Sequence, residues 1–396
     1  MRKLFLICLG ILGILVMAVL AGFIEEGFFE RPSYLDPWNP AYYTRFDDPR
    51  TQIIAHGILA ASGHNMQNWK FRYDPGNKNA FDMYLETTRL VTNVDPYYTQ
   101  ATISQGTLSE YMALAGRKLG YNVTMDLFPD GEYTKNATFE ELQQMRVAHV
   151  VLETTAKQED PLYAMMFEPD TSRVAYEKNS VSPADVDALT AQDTYPDIRV
   201  ISIATGEKYG KLQNFITTSA RTETGVERVM NESGNLFRVN ERNKNEYRYG
   251  FSFEGSGMSG LSLQGMQTLV TVFPGVNSPE ASKKMFLDQT DLAAENNSGF
   301  FLIVSSSNDR VTQFHTGVLY SRMQLEAGSR GLAVQPLTQS IEEYPEMMPT
   351  HNEIHKEMVN EGETIQMLFR IGKPTAQVPR SMRKDVGDFI VKTPVP

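Results

Sequence analysis

The sequence predicts an α+β protein in which one fold occurs twice, and an internal repeat is the main observation behind this prediction. The stretch GTLSEYMALAGRKLGYNV begins at Gly106, and GVLYSRMQLEAGSRGLAV begins at Gly317. Both place Leu, Met, Leu, Gly and Val at matching offsets, and each follows a strand-like run, FDMYL or GFFLIVSSS. Each stretch therefore predicts a helix that ends at a glycine, Gly120 or Gly331, and continues into a short strand.

The repeat indicates two copies of one fold, in about residues 45–155 and 156–396. Chance similarity between two amphipathic helices is the alternative. The second copy carries an insertion, because residues 206–245 are highly charged with scattered apolar residues, which is typical of a surface helical excursion. The glycine-rich stretch FEGSGMSGLSLQG follows, but it lacks the Lys of a phosphate-binding P-loop.

Composition and charge narrow the class of protein. The chain has 396 residues, of which 41% are apolar and 21% charged, so it is long enough for two core-forming domains. The net charge of −11 opposes a nucleic-acid surface, which needs clustered Lys and Arg. No DNA or RNA partner is expected.

The N-terminus predicts membrane attachment. Residues 4–24 are uncharged and almost entirely apolar, follow Arg2 and Lys3, and have about the length that a bilayer core requires. This pattern predicts a transmembrane helix within residues 1–24, with the body outside the cytoplasm. A signal segment cleaved after residue 21 is the alternative and would leave a secreted or periplasmic protein. Cys8, the single cysteine, lies in this segment, so the body contains no disulfide or cysteine nucleophile.

A polar loop is the most informative local feature. Residues 25–49 are rich in Pro, Tyr and Trp and predict an irregular strap, and a helix is predicted over 50–61. The stretch SGHNMQNWKF follows at 62–71 and leads into a strand. Small polar residues at a helix end often cap backbone groups, but this density of Ser, His, Asn and Gln also suits a ligand.

The stretch AASGHNMQNWKF resembles the flavin-binding loop of the nitroreductase superfamily, in particular of the Acg-family FMN-binding oxidoreductases. Further stretches resemble the same family in its own order: RLVTNVDP from Arg89, then DTSRVAY, GLAVQPLTQ and RIGKPTAQVPRSMR. The resemblance covers about residues 50–390. It implies two nitroreductase-like α/β sandwich halves, 50–155 and 156–396, which imitate the family's usual dimer within one chain.

The resemblance implies that FMN lies in a groove between the halves. The first half would contribute polar groups to the ribityl chain and the ring edge, namely Ser62, His64, Asn65 and Gln67. The second half would bind the phosphate through Thr171, Arg173, Arg380 and Arg383. It would also approach flavin N5, through Thr338 and Gln339. The resemblance assigns no catalytic residue.

Two departures from the family pattern weaken the expected site. Two turn-fixing prolines of the loop are missing, at Ala61 and Asn68, so a less rigid loop is expected. The family's Arg-x-Thr-x-Arg phosphate motif begins here with Pro169 and gains Asp170. Losing one charge-assisted contact costs about 1.5 to 3 kcal/mol, so weaker FMN binding is expected.

Other candidate sites are less specific. His351 and His355 have the spacing of a helical metal pair, but no third ligand accompanies them, and no metal site is predicted. His56, His149 and His315 are expected to be structural. No serine-hydrolase elbow motif is present in the sequence.

Three functions follow from these observations. The first is a membrane-anchored FMN oxidoreductase that takes electrons from a small-molecule donor and passes them to a nitroaromatic or quinone-like acceptor. The second is an FMN-binding or storage protein without turnover. The third is an extracytoplasmic module for another ligand. The internal pseudo-dimer predicts a monomer.

Overall fold

The computed structural model describes residues 10, 13, 17, 20–169, 171–377 and 379–391. The membrane segment predicted within 1–24 falls mostly outside these residues, although residues 20–26 are helical. In the described part of the chain, no helix has both the length and the apolar character needed to cross a bilayer.

Strands of the described residues form two antiparallel four-stranded sheets. The first has the order β1-β2-β4-β3 and contains β1 (Trp69–Tyr73), β2 (Ala80–Leu85), β3 (Tyr121–Leu127) and β4 (Ala148–Thr154). The second has the order β5-β6-β8-β7 and contains β5 (Ile198–Ile203), β6 (Gly299–Ser305), β7 (Ala333–Pro336) and β8 (Thr364–Gly372). The two sheets thus connect their strands in the same order.

Helices separate and cover these strands. In chain order they are α1 (Pro49–Gly57), α2 (Thr99–Leu119), α3 (Phe139–Gln144), α4 (Pro183–Thr190), α5 (Gly206–Thr224), α6 (Glu227–Gly234), α7 (Glu241–Tyr247), α8 (Gly260–Val272), α9 (Pro279–Glu295), α10 (Arg310–Ser329) and α11 (Met348–Met358). Helix α2 joins the second and third strands of its sheet, and α10 does the same in the other sheet. These are the two helices of the sequence repeat, and Gly120 and Gly331 follow them with φ of 88° and 70°.

The two repeat helices cross at their first glycines. A Cβ on Gly106 would overlap the carbonyl oxygen of Phe314, and a Cβ on Gly317 would overlap that of Ile103. Each glycine therefore meets the carbonyl three residues before the other glycine. The two contacts are reciprocal, and they allow the backbones to approach more closely than any side chain permits.

The crossing also contains a buried ion pair. Glu110 of α2, 6% exposed, accepts a hydrogen bond of 3.0 Å from Arg322 Nε of α10. Arg117 lies on the other side of the carboxylate, at 3.9 Å. Phe314 and Val318 of α10 join the hydrophobic core around the first sheet, while Leu319 and Met323 join the core around the second. Helix α10 is therefore shared by both cores.

The range 206–245, predicted as a charged helical excursion, contains α5, α6 and α7, and helical structure continues through α8 and α9 to Glu295. Helix α5 packs one face on the protein, because Leu212, Phe215 and Ile216 are buried against the second sheet. Its charged residues occupy the remaining face, which explains why its composition resembled that of a surface helix.

Residues 25–49 and 379–391 both pack on the first half. The strap predicted at 25–49 forms short 3₁₀ turns, Ser33–Trp38 and Tyr42–Arg45, and buries Trp38 and Tyr42 in the first core. From the other end, Phe389 joins the same core, and Ile390 pairs in parallel with Phe71 at the open edge of β1. The C-terminal segment of the second half thus extends across the first sheet.

We expect Gly106→Ala to lower the free energy of unfolding by about 1 to 3 kcal/mol, because its methyl group has no room at the helix crossing. Gly210→Ala in α5 is the matched control. No atom of the described chain lies within 4 Å of a Cβ at Gly210, so this change should stabilise the helix by about 0.5 to 1 kcal/mol. Denaturant unfolding of both variants would measure the difference. Equal effects would show that the crossing is not tightly packed.

Candidate functional site

The polar loop adopts an unusual backbone. Helix α1 ends at Gly57, a short 3₁₀ turn spans Gly63–Asn65, and β1 begins at Trp69. The φ angles of His64, Asn65 and Gln67 are 50°, 52° and 51°. Left-handed conformations at residues other than glycine cost free energy and persist only where surrounding contacts enforce them. The loop is therefore held in its shape by the rest of the molecule.

Hydrogen bonds close the loop and hold it on α2. The backbone N–H of Gln67 donates to Ser62 Oγ at 2.9 Å, and the N–H of Gly63 donates to Ser104 Oγ at 3.0 Å. Trp69 Nε1 donates to the Ser104 carbonyl at 2.7 Å. The missing prolines predicted a less rigid loop, but these bonds fix it by another means.

Three of the predicted site residues bind one another. Arg383 Nη1 donates to Asn65 Oδ1 at 2.9 Å, and Gln67 Nε2 donates to the same oxygen at 3.3 Å. Gln67 Oε1 accepts from the backbone N–H of Lys384 at 3.0 Å. Gln67 and Arg383 are both 0% exposed. The two halves therefore meet here, and these side chains hold the loop in position.

The guanidinium of Arg383 stabilises the end of the segment that leads into the loop. Its Nη2 donates to the carbonyls of Leu59 and Ala60, at 2.8 and 3.1 Å, and its Cζ lies 4.7 Å from the centre of the Trp38 ring. The resemblance implies a phosphate ligand at this position. In the structure its planar fork binds carbonyl oxygens that follow α1.

Like Asn68, whose buried Oδ1 has no partner among the described residues, His64 keeps an unpaired polar atom. Its Nδ1 is buried and has no hydrogen-bond partner among the described residues. Burial lowers the pKa of His64 to about 4, and the positive charge of Arg173 adds to this effect. The imidazole is thus neutral at physiological pH, so it can donate or accept one hydrogen bond at Nδ1.

Arg173 lies near enough to His64 for its charge to lower the pKa of the imidazole. A Cβ on Gly255 would lie 3.1 Å from Arg173 Nη1, and a Cβ on Gly257 would overlap Val174. The glycine-rich stretch therefore packs closely on this segment. Ser172 is 6% exposed, and its Oγ has no partner within the described ranges. Thr171 is half-buried in the same segment, and Asp170 lies outside the described residues.

Arg380 lies apart from the loop network. Its Nε donates to the Phe167 carbonyl at 2.6 Å, and its Nη2 lies 3.6 Å from Glu168 Oε1. Its side chain is 40% exposed. It thus connects the C-terminal segment to the residues that precede Thr171.

Thr338 and Gln339 begin a 3₁₀ turn that spans Thr338–Ile341 and follows β7. The turn is linked to the loop through one side chain. Gln100 Nε2 donates to Glu342 Oε1 at 3.3 Å, and Gln100 Oε1 would lie 3.2 Å from a Cβ on Gly63. The side chain of Gln100 in α2 therefore lies between the loop and this turn and contacts both.

A pair of buried carboxyl groups beside this turn was missed by the sequence analysis. Glu342 and Glu223 are 6% and 4% exposed, and each has one carboxyl oxygen without a partner in the described structure. Burial raises the pKa of Glu223 to about 7, and burial together with the Glu223 charge raises that of Glu342. Burial likewise raises the pKa of Asp95 to about 6. No local motif marks Glu223 or Glu342, because they lie far apart in the chain.

Two of the histidines set aside by the sequence analysis, His355 and His56, are bonded within the protein. His355 Nδ1 hydrogen-bonds the His351 carbonyl at 2.7 Å, and its Nε2 accepts from the Ile365 N–H at 3.0 Å. Both ring nitrogens are therefore used within the protein. His56 likewise bonds the Gln52 carbonyl and Tyr163 Oη. Across the described residues, no group of three or more His, Cys, Asp or Glu could hold a metal ion.

Two surface cavities lie away from the polar loop. One, of about 370 Å³, lies between α5 and α11, and another, of about 240 Å³, lies at the start of α10. Neither is lined by a predicted site residue. Both are open depressions, so the buried atoms of His64 and Ser172 are the stronger indication of a ligand site.

The raised pKa of Glu223 makes stability depend on pH. A carboxyl whose pKa is raised on folding contributes stability that is fully present below its ordinary value of 4.5 and is lost as the pH rises through about 7. We expect Glu223→Gln to unfold at the same denaturant concentration as the parent at pH 5, and to gain about 1 to 3 kcal/mol at pH 8.

Glu361→Gln, at an exposed turn, is the control and should change little at either pH. Denaturant unfolding at both pH values would measure the effect. A Glu223→Gln variant that is less stable than the parent at pH 8 would contradict a buried, unpaired charge at this position.

Solved structures that align with this chain include two nitroreductase-like proteins. A nitroreductase-like family protein from Bacillus cereus aligns with a TM-score of 0.33 and 11% identity, over 61% of this chain and 100% of that chain. A putative nitroreductase from Anabaena variabilis aligns with a TM-score of 0.38 and 8% identity, over 80% of this chain and 82% of that chain. No protein-family model matches the sequence, and no curated protein matches it. These identities are low, so the functional argument depends on the residues of this chain.

Proposed function

We propose that the protein is an FMN-dependent oxidoreductase of the nitroreductase type, built from two related halves that together form one flavin site. One observation carries this proposal. Each half contributes a buried polar atom that has no partner among the described residues, and the second half also contributes a cation. His64 Nδ1 comes from the first half, whereas Ser172 Oγ and Arg173 come from the second. A buried polar atom without a partner is costly, and a ligand that supplies the partner removes this cost.

These residues suit the chemistry of FMN. Arg173 is the cation for the phosphate, with Thr171 and Ser172 beside it as hydroxyl donors. His64, neutral at physiological pH, exchanges a hydrogen bond with a ribityl hydroxyl without adding charge. Ser62 contributes a hydroxyl from the same loop. Thr338 and Gln339 lie on the turn that the family resemblance assigns to flavin N5.

Three of the remaining predicted residues hold the polar loop of the site in its shape. Asn65, Gln67 and Arg383 bind one another and keep the loop in its left-handed conformation. When bound, FMN supplies the redox chemistry, in which electrons from a donor pass to an acceptor. The chain positions the donor and the acceptor at the flavin and excludes water from the site. A nitroaromatic or quinone-like compound is the proposed acceptor, and the body is proposed to be anchored outside the cytoplasm.

A second candidate is an FMN-binding protein without turnover. The observation that favours it is the cover over the loop: Met66 packs in a small core with Val226, Val229 and Leu236. These residues belong to the insertion, and Phe251 lies 6.1 Å from the His64 ring. A covered flavin would bind but exchange electrons slowly. Reduction of bound flavin by a chemical or enzymatic donor separates the two candidates.

We expect the full-length protein to bind one FMN per chain, because Arg173 and the His64 loop each occur once. Titration followed by flavin absorbance would give the stoichiometry. Two equivalent flavins would contradict a single site, and no binding at saturating FMN would remove the proposal.

We expect Arg173→Ala to weaken FMN binding by about 1.5 to 3 kcal/mol, roughly ten- to a hundredfold, because a charge-assisted contact to the phosphate is lost. Riboflavin, which lacks the phosphate, should bind the variant almost as it binds the parent. Arg199→Ala is the matched control, since Arg199 forms a surface ion pair with Glu363. Calorimetric titration of both ligands would measure these effects. Equal losses for FMN and riboflavin would show that Arg173 is not the phosphate ligand.

A further inference from the structure

Large apolar side chains are exposed together in one region of the molecule. They come from the N-terminal segment and from α8 with the turn that follows it, and we call them the apolar face: Leu20, Ile24, Phe28, Phe29, Leu261, Leu269, Val272, Phe273 and Val276. Leu261 is 91% exposed and Phe29 is 72% exposed. Soluble proteins rarely leave so much apolar surface in one place without a partner.

Helix α8 has two faces with different surroundings. Leu263, Gln267 and Val270 are buried, and their helical spacing directs them towards the body. Leu261 and Leu269 lie on the other face and are exposed. Residues 255–279 contain no charged side chain. The outward face of α8 therefore lacks the charges that an exposed helix of a soluble protein ordinarily carries.

The N-terminal segment is fixed beside α8. A Cβ on Gly22 would lie 2.9 Å from Val272 Cγ2, so the two backbones approach closely. Glu26, which is 0% exposed, accepts a hydrogen bond from Thr268 Oγ1 at 2.6 Å. Arg242 Nη2 donates to the Ile24 carbonyl at 2.7 Å. Contacts with α8 and α7 therefore fix the direction in which the N-terminal segment joins the rest of the protein.

We propose that the apolar face lies in the interfacial region of a lipid bilayer, with α8 and residues 273–276 as a second point of membrane attachment beside the N-terminal segment. Continuity supports lipid as the partner. The uncharged, apolar run of residues 4–24 ends within this face, and Leu20 and Ile24 belong to both. Lipid requires no charge complementarity, which agrees with the absence of charged side chains from 255–279.

The dimensions of α8 suit an interfacial position. The helix has 13 residues, about 20 Å at the usual rise, which is shorter than the hydrocarbon core of a bilayer. It therefore lies along the surface with its apolar face inserted. Phe28, Phe29 and Phe273 give this face an aromatic edge, and Arg242 pairs with Glu25 and Glu30 on the side of the body. The body would be held in one orientation against the membrane, independently of flavin binding.

The test uses tryptophan fluorescence of the full-length protein in phosphatidylcholine vesicles whose acyl chains carry bromine, which quenches indoles that enter the bilayer. The two native tryptophans, Trp38 and Trp69, are 2% and 0% exposed, so they give a constant background. Leu261→Trp and Phe273→Trp place the probe on the apolar face. Phe139→Trp is the matched control, because Phe139 is an exposed apolar residue at the start of α3, outside this face.

We expect brominated vesicles to remove most of the fluorescence added at positions 261 and 273, and to leave that at position 139 unchanged. Equal quenching at all three positions would overturn the proposal, because it would show general access to lipid. Unquenched, blue-shifted emission at 261 and 273, together with dimers in sedimentation, would also overturn it and would assign the face to a second copy of the chain. Unquenched emission typical of water at both positions would show that nothing covers the face.

Discussion

The close contact between α2 and α10 at Gly106 and Gly317 is the constraint on which the rest of the structure depends. Each glycine faces a backbone carbonyl of the other helix, so no larger residue fits at either position. Because α10 contributes side chains to both hydrophobic cores, a shift of one helix would disturb both sheets. The buried ion pair of Glu110 with Arg322 adds a polar contact that is satisfied only when the helices cross in this register.

The crossing also positions the candidate site. Ser104 and Gln100 lie on α2 within two turns of Gly106, and they contact the polar loop at Gly63. The packing of the two helices therefore fixes the position of the loop relative to the second half. Its strained backbone is then stabilised from the other side by Arg383, whose guanidinium binds carbonyls at the end of α1. A ligand site between the halves needs both constraints.

The sequence predicted the parts of this arrangement that depend on local pattern. The repeat around Gly106 and Gly317 gave the two helices, their terminal glycines and the strands beside them, since helix periodicity and glycine caps are short-range signals. The role of Arg383 could not be predicted, because its contacts with Asn65 and Ala60 join residues more than 300 positions apart. The buried pair of Glu223 and Glu342 was missed for the same reason. The buried stripe of α5 was not predicted either, because charge composition does not reveal it.

Hydrogen bonding distinguishes the buried side chains around the loop that bind within the protein from those that keep an unpaired atom. A polar side chain that is fully buried must bind its partners within the protein, and Gln67 and Arg383 do so across the two halves. The donors and acceptors of these two side chains that form hydrogen bonds are therefore directed at atoms of the protein. His64 Nδ1 and Ser172 Oγ are also buried, but neither atom has a partner among the described residues. In the proposed site, the family resemblance supplies the candidate segments, and hydrogen-bond satisfaction then selects the residues that are available to a cofactor.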